Sequence, residues 1–230
     1  MARGTVEPLV RGMLFVVVWW RGEGTMQTSS VMNALRFEQG LTYAAFLAQA
    51  LINHDKFDEY YRSSPLSEDD LAFFRRAASV PHGAVNIVAL GEAWCGDVYR
   101  ELPTVARIAE ASGMNLRIFL RDENPDIMDQ FLSNNGKSRA IPVFVFYTRE
   151  MEYITRFVER PSSAQTQIDS ILDDVSSRYN LAPGTTFTNL PEAGRKEVID
   201  TILPRFVDWQ RDSISEMRQL LSSALGLPNA

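Results

Sequence analysis

The chain has 230 residues and a formal net charge of −6 at pH 7, with 45% hydrophobic and 23% charged residues. This composition is typical of a globular protein with a sizeable core, and the negative charge disfavours a binder of nucleic acid or anionic membranes, which needs a basic face. Because the chain has a single cysteine, Cys95, it forms no internal disulfide. Its two histidines are isolated and no ligand spacing surrounds Cys95, so we expect neither a metal site nor a cofactor.

Residues 1–32 are predicted to be a tail that is either disordered or translated ahead of the true start. The apolar run Met13–Trp20 follows two arginines and faintly resembles a signal peptide, but no A-x-A-like cleavage site comes after it. The run is also too short to span a bilayer. An exposed apolar tail and a true start at Met26 or Met32 both remain open, and the second is favoured. In that case we expect the protein to be cytoplasmic.

Residues 33–80 are predicted to form an N-terminal helical extension. Apolar residues at three- and four-residue spacing predict one helix over residues 41–63, and His54 falls on its apolar stripe, where a packed histidine is expected. The stretch SEDDLAFFRRAA predicts a second helix, because Ser67 is a good N-cap, acids occupy the first turn and arginines the last.

Residues 81–180 alternate between strand and helix patterns in the order β-α-β-α-β-β-α. The predicted elements are a strand at Val85–Leu90, a helix at Gly96–Ser112, a strand at Leu116–Leu120, a helix from Asn124 to about Asn134, strands at Val143–Tyr147 and Glu152–Val158, and a helix at Ser162–Tyr179. A β-α-β unit followed by a hairpin predicts an α/β domain, with a mixed sheet and helices on both faces.

Residues 181–230 are predicted to form a C-terminal helical extension. The pattern is helical over about 191–225, with a break or kink at Pro204. Beyond the kink an apolar stripe has to be buried, and it consists of Phe206, Ile214, Met217, Leu221 and Leu225. Packing against the N-terminal helices is the favoured interpretation, and a homodimer through these C-terminal helices is the alternative.

Cys95 lies between the first predicted strand and the helix that follows it. Backbone N–H groups and the helix dipole favour an anion at such a junction, so we expect the pKa of the thiol to be lowered. Trp94 provides an apolar platform beside the sulfur, and Gly96 allows another chain to approach closely. The alternative is that Cys95 is a small core residue.

Two motifs make residues 80–180 resemble the thioredoxin superfamily. They are EAWCGDV after the first strand and AIPVFVF at the third, and the order of elements agrees over the whole span. The sequences WCGD and IPVFVF resemble those of a bacterial thioredoxin-like family in which the second cysteine is often replaced. The resemblance implies a thioredoxin-like fold, a cis Ile141–Pro142 peptide bond and a substrate groove. The residues expected to form that groove around Cys95 are Trp94, Gly96, Asp97, Val98, Ile141 and Pro142.

Two departures from the superfamily pattern affect the same half of its reaction. The resolving cysteine corresponds to Val98, and the buried acid that assists that cysteine corresponds to Ala89. A thiolate at Cys95 can still attack a disulfide, whereas intramolecular release of the product needs the missing sulfur. The departures therefore disfavour ordinary dithiol reductase activity.

The predicted topology brings further charges towards Cys95. Arg121 follows the second strand and Arg139 precedes the third, so both are expected at the Cys95 end of the sheet, where either would favour the thiolate. Asp97 would oppose it. Solvated loop charges are the alternative interpretation for each of them.

Three functions remain open for the chain. The leading one is a monothiol protein that forms mixed disulfides through Cys95 with a protein or a low-molecular-weight thiol or disulfide. The second is a redox-inactive module that binds an extended peptide in the groove by strand addition. An iron–sulfur carrier of the monothiol glutaredoxin kind fits less well, because CGDV is not the motif of those proteins.

Overall fold

A four-stranded mixed sheet lies within residues 31–229, the part of the chain that the computed structural model describes. The strands are β1 (Asn86–Gly91), β2 (Asn115–Leu120), β3 (Val143–Tyr147) and β4 (Tyr153–Val158). Their order in the sheet is β2-β1-β3-β4, with β1 and β2 parallel and the other two pairs antiparallel.

Both faces of this sheet are covered. Every residue of β1 and of β3 is buried, and successive side chains of a strand point to opposite faces. Continuous burial of that kind is typical of central strands with helices on either side. The predicted α/β class and thioredoxin-like architecture, with helical extensions at both ends, are confirmed.

Four helices precede the sheet in the described chain. They are α1 (Ala34–Phe37), α2 (Tyr43–Gln49), α3 (His54–Ser63) and α4 (Glu68–Ser79). The prediction of one helix over 41–63 is wrong, because α2 ends at Gln49 and α3 begins only after Asn53, whose φ is 62°. Asparagine tolerates this left-handed conformation, and its side-chain amide donates to the Ala93 carbonyl at 2.9 Å. His54 is exposed rather than packed, and its Nε2 lies 2.6 Å from the Ala50 carbonyl oxygen.

Five helices follow β1 in the described chain. They are α5 (Gly96–Ser112), α6 (Pro125–Met128), α7 (Ser162–Arg178), α8 (Glu192–Ile202) and α9 (Phe206–Leu225). The helix predicted from Asn124 to about Asn134 ends early, at Met128. Asn134 and Asn135 take positive φ in a turn closed by a bridge between Ser133 and Ser138.

The C-terminal helices pack against the rest of the described chain. The predicted kink at Pro204 is confirmed as a 3₁₀ turn, Leu203–Arg205, between α8 and α9. Helix α9 contacts β4, α4 and α5, and it buries Ile214 and Met217 in the main core. The chain itself therefore covers much of the stripe that suggested a homodimer, and the homodimer stays a prediction.

The predicted tail over residues 1–32 lies outside the described residues except for its last two. Of those, Met32 is buried in the main core. The folded part therefore begins slightly earlier than the sequence suggests. In residues 31–229 no helix is both long and apolar enough to cross a membrane.

Met217→Ala tests whether α9 belongs to the core. Met217 is fully buried, so the loss of its side chain should lower the free energy of unfolding by about 2–5 kcal/mol. Urea denaturation measures this, and Gln219→Ala at an exposed position of the same helix is the control. Equal stability of the two variants would contradict the packing of α9.

Candidate functional site around Cys95

Cys95 directly precedes helix α5. It is the N-cap, and its carbonyl oxygen accepts the first helical hydrogen bond, from the Tyr99 N–H at 3.1 Å. Its own N–H donates to the Glu92 carbonyl oxygen at 3.1 Å, which closes the turn after β1. The strand-to-helix position predicted for Cys95 is therefore the one it occupies.

The sulfur lies against the loop that leads into β3. Cys95 Sγ is 3.6 Å from the Ile141 carbonyl oxygen, and the Ile141–Pro142 peptide bond is cis, as the resemblance predicts. Cys95 itself is partly exposed. The structure thus places the sulfur next to Ile141, in a residue that is partly exposed.

The surroundings of the sulfur raise the pKa of the Cys95 thiol, whereas the sequence predicts a lowered pKa. Burial is the largest cause. The backbone N–H groups of Val98 and Asp97 act in the opposite direction, as expected at a helix start, but the carboxylates of Asp97 and Glu159 add to the increase. The helix start is present as predicted, and desolvation together with two nearby acids outweighs it.

Arg121 and Arg139 lie near one another, as the topology predicts, but their contacts are with other groups. Arg121 Nη1 is 3.5 Å from the Arg139 carbonyl oxygen, and the Arg121 guanidinium lies 5.0 Å from the centre of the Trp94 ring. The Arg139 guanidinium forms an ion pair with Asp129 at 2.7 Å. Neither arginine is among the main groups that shift the Cys95 pKa, so the predicted tuning of the thiolate by these residues is not supported.

The structure brings a different pair of arginines to the site, through Asp97. One carboxylate oxygen of Asp97 pairs with Arg100 at 2.8 Å, and the other accepts from Arg160 Nε at 3.2 Å. Arg160 also pairs with Glu159. The spacing of three residues between Asp97 and Arg100 on a helix is a signal that the sequence offers. Arg160 follows β4, and no local pattern connects it to Asp97.

Arg100 is buried within a polar cluster that joins α5 to α9. Its Nε donates to Glu101, also buried, at 2.7 Å. Its guanidinium lies 4.9 Å from the centre of the Phe206 ring and 5.5 Å from that of Trp209. Gln210 Nε2 donates to the Arg100 carbonyl oxygen at 2.9 Å. Helix α9 is therefore fixed against the first turns of α5.

A cavity of about 620 Å³ opens beside the sulfur. It is bounded by the start of α5, by α7, by α8 and by the start of α9. Its lining residues are Trp94, Cys95, Gly96, Asp97, Tyr99, Arg100, Arg160, Gln165, Ile168, Leu172, Phe187, Val198, Ile199, Ile202, Leu203, Phe206 and Trp209. Its size falls within the range of small-molecule sites. We call it the α7–α9 pocket, and the sequence gives no signal for it.

The predicted groove residues fall into two sets. Trp94, with 52% of its surface exposed, lines the α7–α9 pocket together with Gly96 and Asp97. Ile141 has only 4% of its surface exposed, and Pro142 and Val98 are buried as well. The second set therefore offers little open surface to an extended peptide.

Within residues 31–229 there is no group of three or more His, Cys, Asp or Glu side chains that could hold a metal ion. The chemistry that the site offers is that of one thiol beside an apolar pocket and a cluster of paired charges.

The thioredoxin family model matches residues 40–172, more than half of the chain. No curated protein is similar to the chain. A protein of unknown function from Pseudomonas aeruginosa has a similar structure, with a TM-score of 0.53 and 18% identity, covering 83% of this chain and 95% of that one. An HIV epitope-scaffold gives a TM-score of 0.57 and 16% identity, covering 84% of this chain and 99% of that one. At sequence identities this low, the two similarities show a shared fold alone.

The raised pKa can be tested by alkylation of Cys95 with iodoacetamide as a function of pH. A raised pKa leaves less thiolate at neutral pH, so the folded chain should react at a higher pH midpoint than the same chain unfolded in urea. Asp97→Asn should move the folded midpoint downwards, because it removes one carboxylate and leaves Arg160 with less compensation.

Asp122→Asn is the matched control, because the carboxylate of Asp122 is exposed and pairs with Arg121. Its midpoint should equal that of the unmodified chain. A folded midpoint below the unfolded one would contradict the raised pKa.

Proposed function

Because the chain belongs to the thioredoxin family, we propose that it is a monothiol protein that forms mixed disulfides through Cys95 in thiol–disulfide exchange. The observation that carries the proposal is the position of the sulfur. It lies against Ile141 at the start of α5, in a residue that is partly exposed and lines a pocket large enough for a small molecule.

The exchange requires two partners from outside the chain. The Cys95 thiolate attacks one sulfur of a disulfide, so the Cys95–sulfur bond forms as the old sulfur–sulfur bond breaks. The departing thiolate takes up a proton, Cys95 is oxidised and the leaving sulfur is reduced. Val98 has no sulfur with which to displace the adduct, so an external thiol has to release it and restore the Cys95 thiol.

The raised pKa makes the reaction of a dissolved disulfide slow at neutral pH, because little of the thiol is ionised. A partner held beside the sulfur compensates for this, since binding turns a bimolecular encounter into a reaction within a complex. The proposal therefore couples the chemistry of Cys95 to a binding site.

We also propose that the chain belongs to the bacterial thioredoxin-like family in which the second cysteine is often replaced. The motif EAWCGDV supports this membership. A cytoplasmic location suits this assignment, because that compartment supplies the external thiols that the release step needs.

The second candidate is a redox-inactive module that binds a peptide. The raised pKa of Cys95 favours it, because an inert thiol needs no activation. The burial of Ile141 and Pro142 disfavours it, because strand addition requires an accessible backbone edge. The monothiol function is therefore the better account of the site.

The stoichiometry of trapping tests the monothiol function. With excess dithiodipyridine, the chain should release one thiopyridone per molecule and keep one as an adduct, which persists until a thiol such as glutathione is added. Mass spectrometry of the intact protein measures the adduct. Cys95→Ser should give none, with its fold retained in circular dichroism. A native chain that forms no adduct would favour the peptide-binding module instead.

Val98→Cys tests whether the missing sulfur is what makes the adduct persist. Position 98 lies one turn after Cys95 on α5, so with one equivalent of dithiodipyridine a thiol there should form a disulfide with Cys95 and release the bound group as a second thiopyridone. Val98→Ala makes the same site smaller without adding a thiol, and it should release one. Persistence of the adduct in Val98→Cys would contradict this explanation.

A further inference from the structure

The α7–α9 pocket combines the family domain with the helices that follow it. Cys95 and its neighbours in the pocket lie within the matched residues 40–172, whereas the walls from α8 and α9 lie beyond residue 172. The C-terminal extension therefore builds a pocket directly beside the thiol, and the question is which ligand it accepts.

Most of the residues that line the pocket together with Cys95 are apolar. They are mainly aliphatic and aromatic side chains from α7, from α8 and from the start of α9. They include Ile168 of α7, Ile202 of α8 and Trp209 of α9, and two further apolar side chains, Phe187 and Leu203, come from the 3₁₀ turns between these helices. A pocket with such a lining and a few polar groups at one end is the usual form of a site for a mainly apolar small molecule.

The charged end of the pocket is already compensated from within the chain. Of the lining cations, Arg100 pairs with Asp97 and Glu101, and Arg160 pairs with Asp97 and Glu159. Carboxylates thus occupy both guanidinium groups, and an arriving anion would meet acids beside the sulfur. The charges favour a neutral ligand over an anionic one.

Building on the proposed function, we propose that the disulfide partner of Cys95 is a neutral small molecule with an aromatic or branched aliphatic body that fills the α7–α9 pocket. The body lies against the wall from α7, α8 and α9 while one of its sulfurs meets Cys95. In the exchange, the Cys95 thiol and the disulfide become a mixed disulfide and one free small thiol. A second thiol molecule then regenerates Cys95 and leaves with the ligand as a new disulfide.

The first test compares two aromatic disulfides that differ in charge. Neutral dithiodipyridine and the dianion of dithio-bis-nitrobenzoic acid react with the folded chain and with the same chain unfolded in urea, which corrects for intrinsic reactivity. We expect the ratio of the neutral-probe rate to the anionic-probe rate to be about tenfold or more higher for the folded chain than for the unfolded chain. A tenfold difference corresponds to about 1.4 kcal/mol. The rate at which the folded chain reacts with dithiodipyridine should also saturate as the concentration of that probe increases.

The second test changes the rim of the pocket. Leu203 lines the pocket and has 49% of its surface exposed, so Leu203→Glu should fold normally. It places a carboxylate in the apolar wall and should weaken the binding of the neutral probe, seen as a higher concentration at half-saturation of its rate. Val207, with 43% exposed, is a similarly exposed apolar residue nearby that does not line the pocket. Val207→Glu is therefore the matched control and should leave that half-saturation concentration unchanged.

The third test separates binding from thiol chemistry. Bipyridine is neutral, aromatic and free of sulfur, so it should bind Cys95→Ser in calorimetry and should slow the reaction of the native chain with dithiodipyridine. Leu203→Glu introduced into Cys95→Ser should weaken that binding.

The outcomes distinguish the two proposals. If neither disulfide forms an adduct, the monothiol function fails and the disulfide partner fails with it. If adducts form but bipyridine does not bind Cys95→Ser, the neutral apolar ligand alone is overturned. If both disulfides react without saturation and with the ratio found for the unfolded chain, the monothiol function stands and the neutral apolar ligand is overturned. Equal effects of Leu203→Glu and Val207→Glu would also overturn it.

Discussion

The buried guanidinium of Arg100 is the constraint on which the arrangement around Cys95 depends. A cation removed from water costs several kcal/mol unless partners compensate for the lost hydration. Here Asp97 and Glu101 supply the charges, and the rings of Phe206 and Trp209 lie against the guanidinium. Because the charges come from α5 and the rings from α9, separation of the two helices would expose aromatic surface and leave the cation less well covered. The burial of this side chain thus fixes the start of α9 against α5, in addition to the apolar contacts that α9 makes with the main core.

The position of α9 in turn determines what lies beside the sulfur. The 3₁₀ turn Leu203–Arg205 redirects the chain between α8 and α9, so α8 packs on α7 while α9 packs on α4, α5 and β4. The space enclosed by α7, α8, α9 and the start of α5 is the α7–α9 pocket. A thioredoxin domain without the extension would lack these walls. The residues beyond the family match therefore contribute to the site as well as to stability.

The sequence predicted those features that depend on local pattern. The helix Gly96–Ser112 was predicted to the residue, because a strand precedes it and Gly113 ends it with a φ of 76°. The break at Asn53 was missed, because it involves a hydrogen bond to Ala93, forty positions away. The direction of the Cys95 pKa was predicted wrongly for the same kind of reason. Helix position is local, whereas burial and the approach of Glu159 depend on the whole fold.

The replacement of the resolving cysteine by Val98 has a consequence for how long the protein keeps a chemical state. A dithiol protein clears its own adduct, so its state follows its substrates from moment to moment. In the proposed function this chain has no second cysteine that could release the adduct. The lifetime of its adduct is set by the concentration of outside thiol, and the fraction of modified chains becomes a record of past exposure. Under the proposed function, the modified fraction therefore reports the balance of disulfide and thiol to which the protein has been exposed.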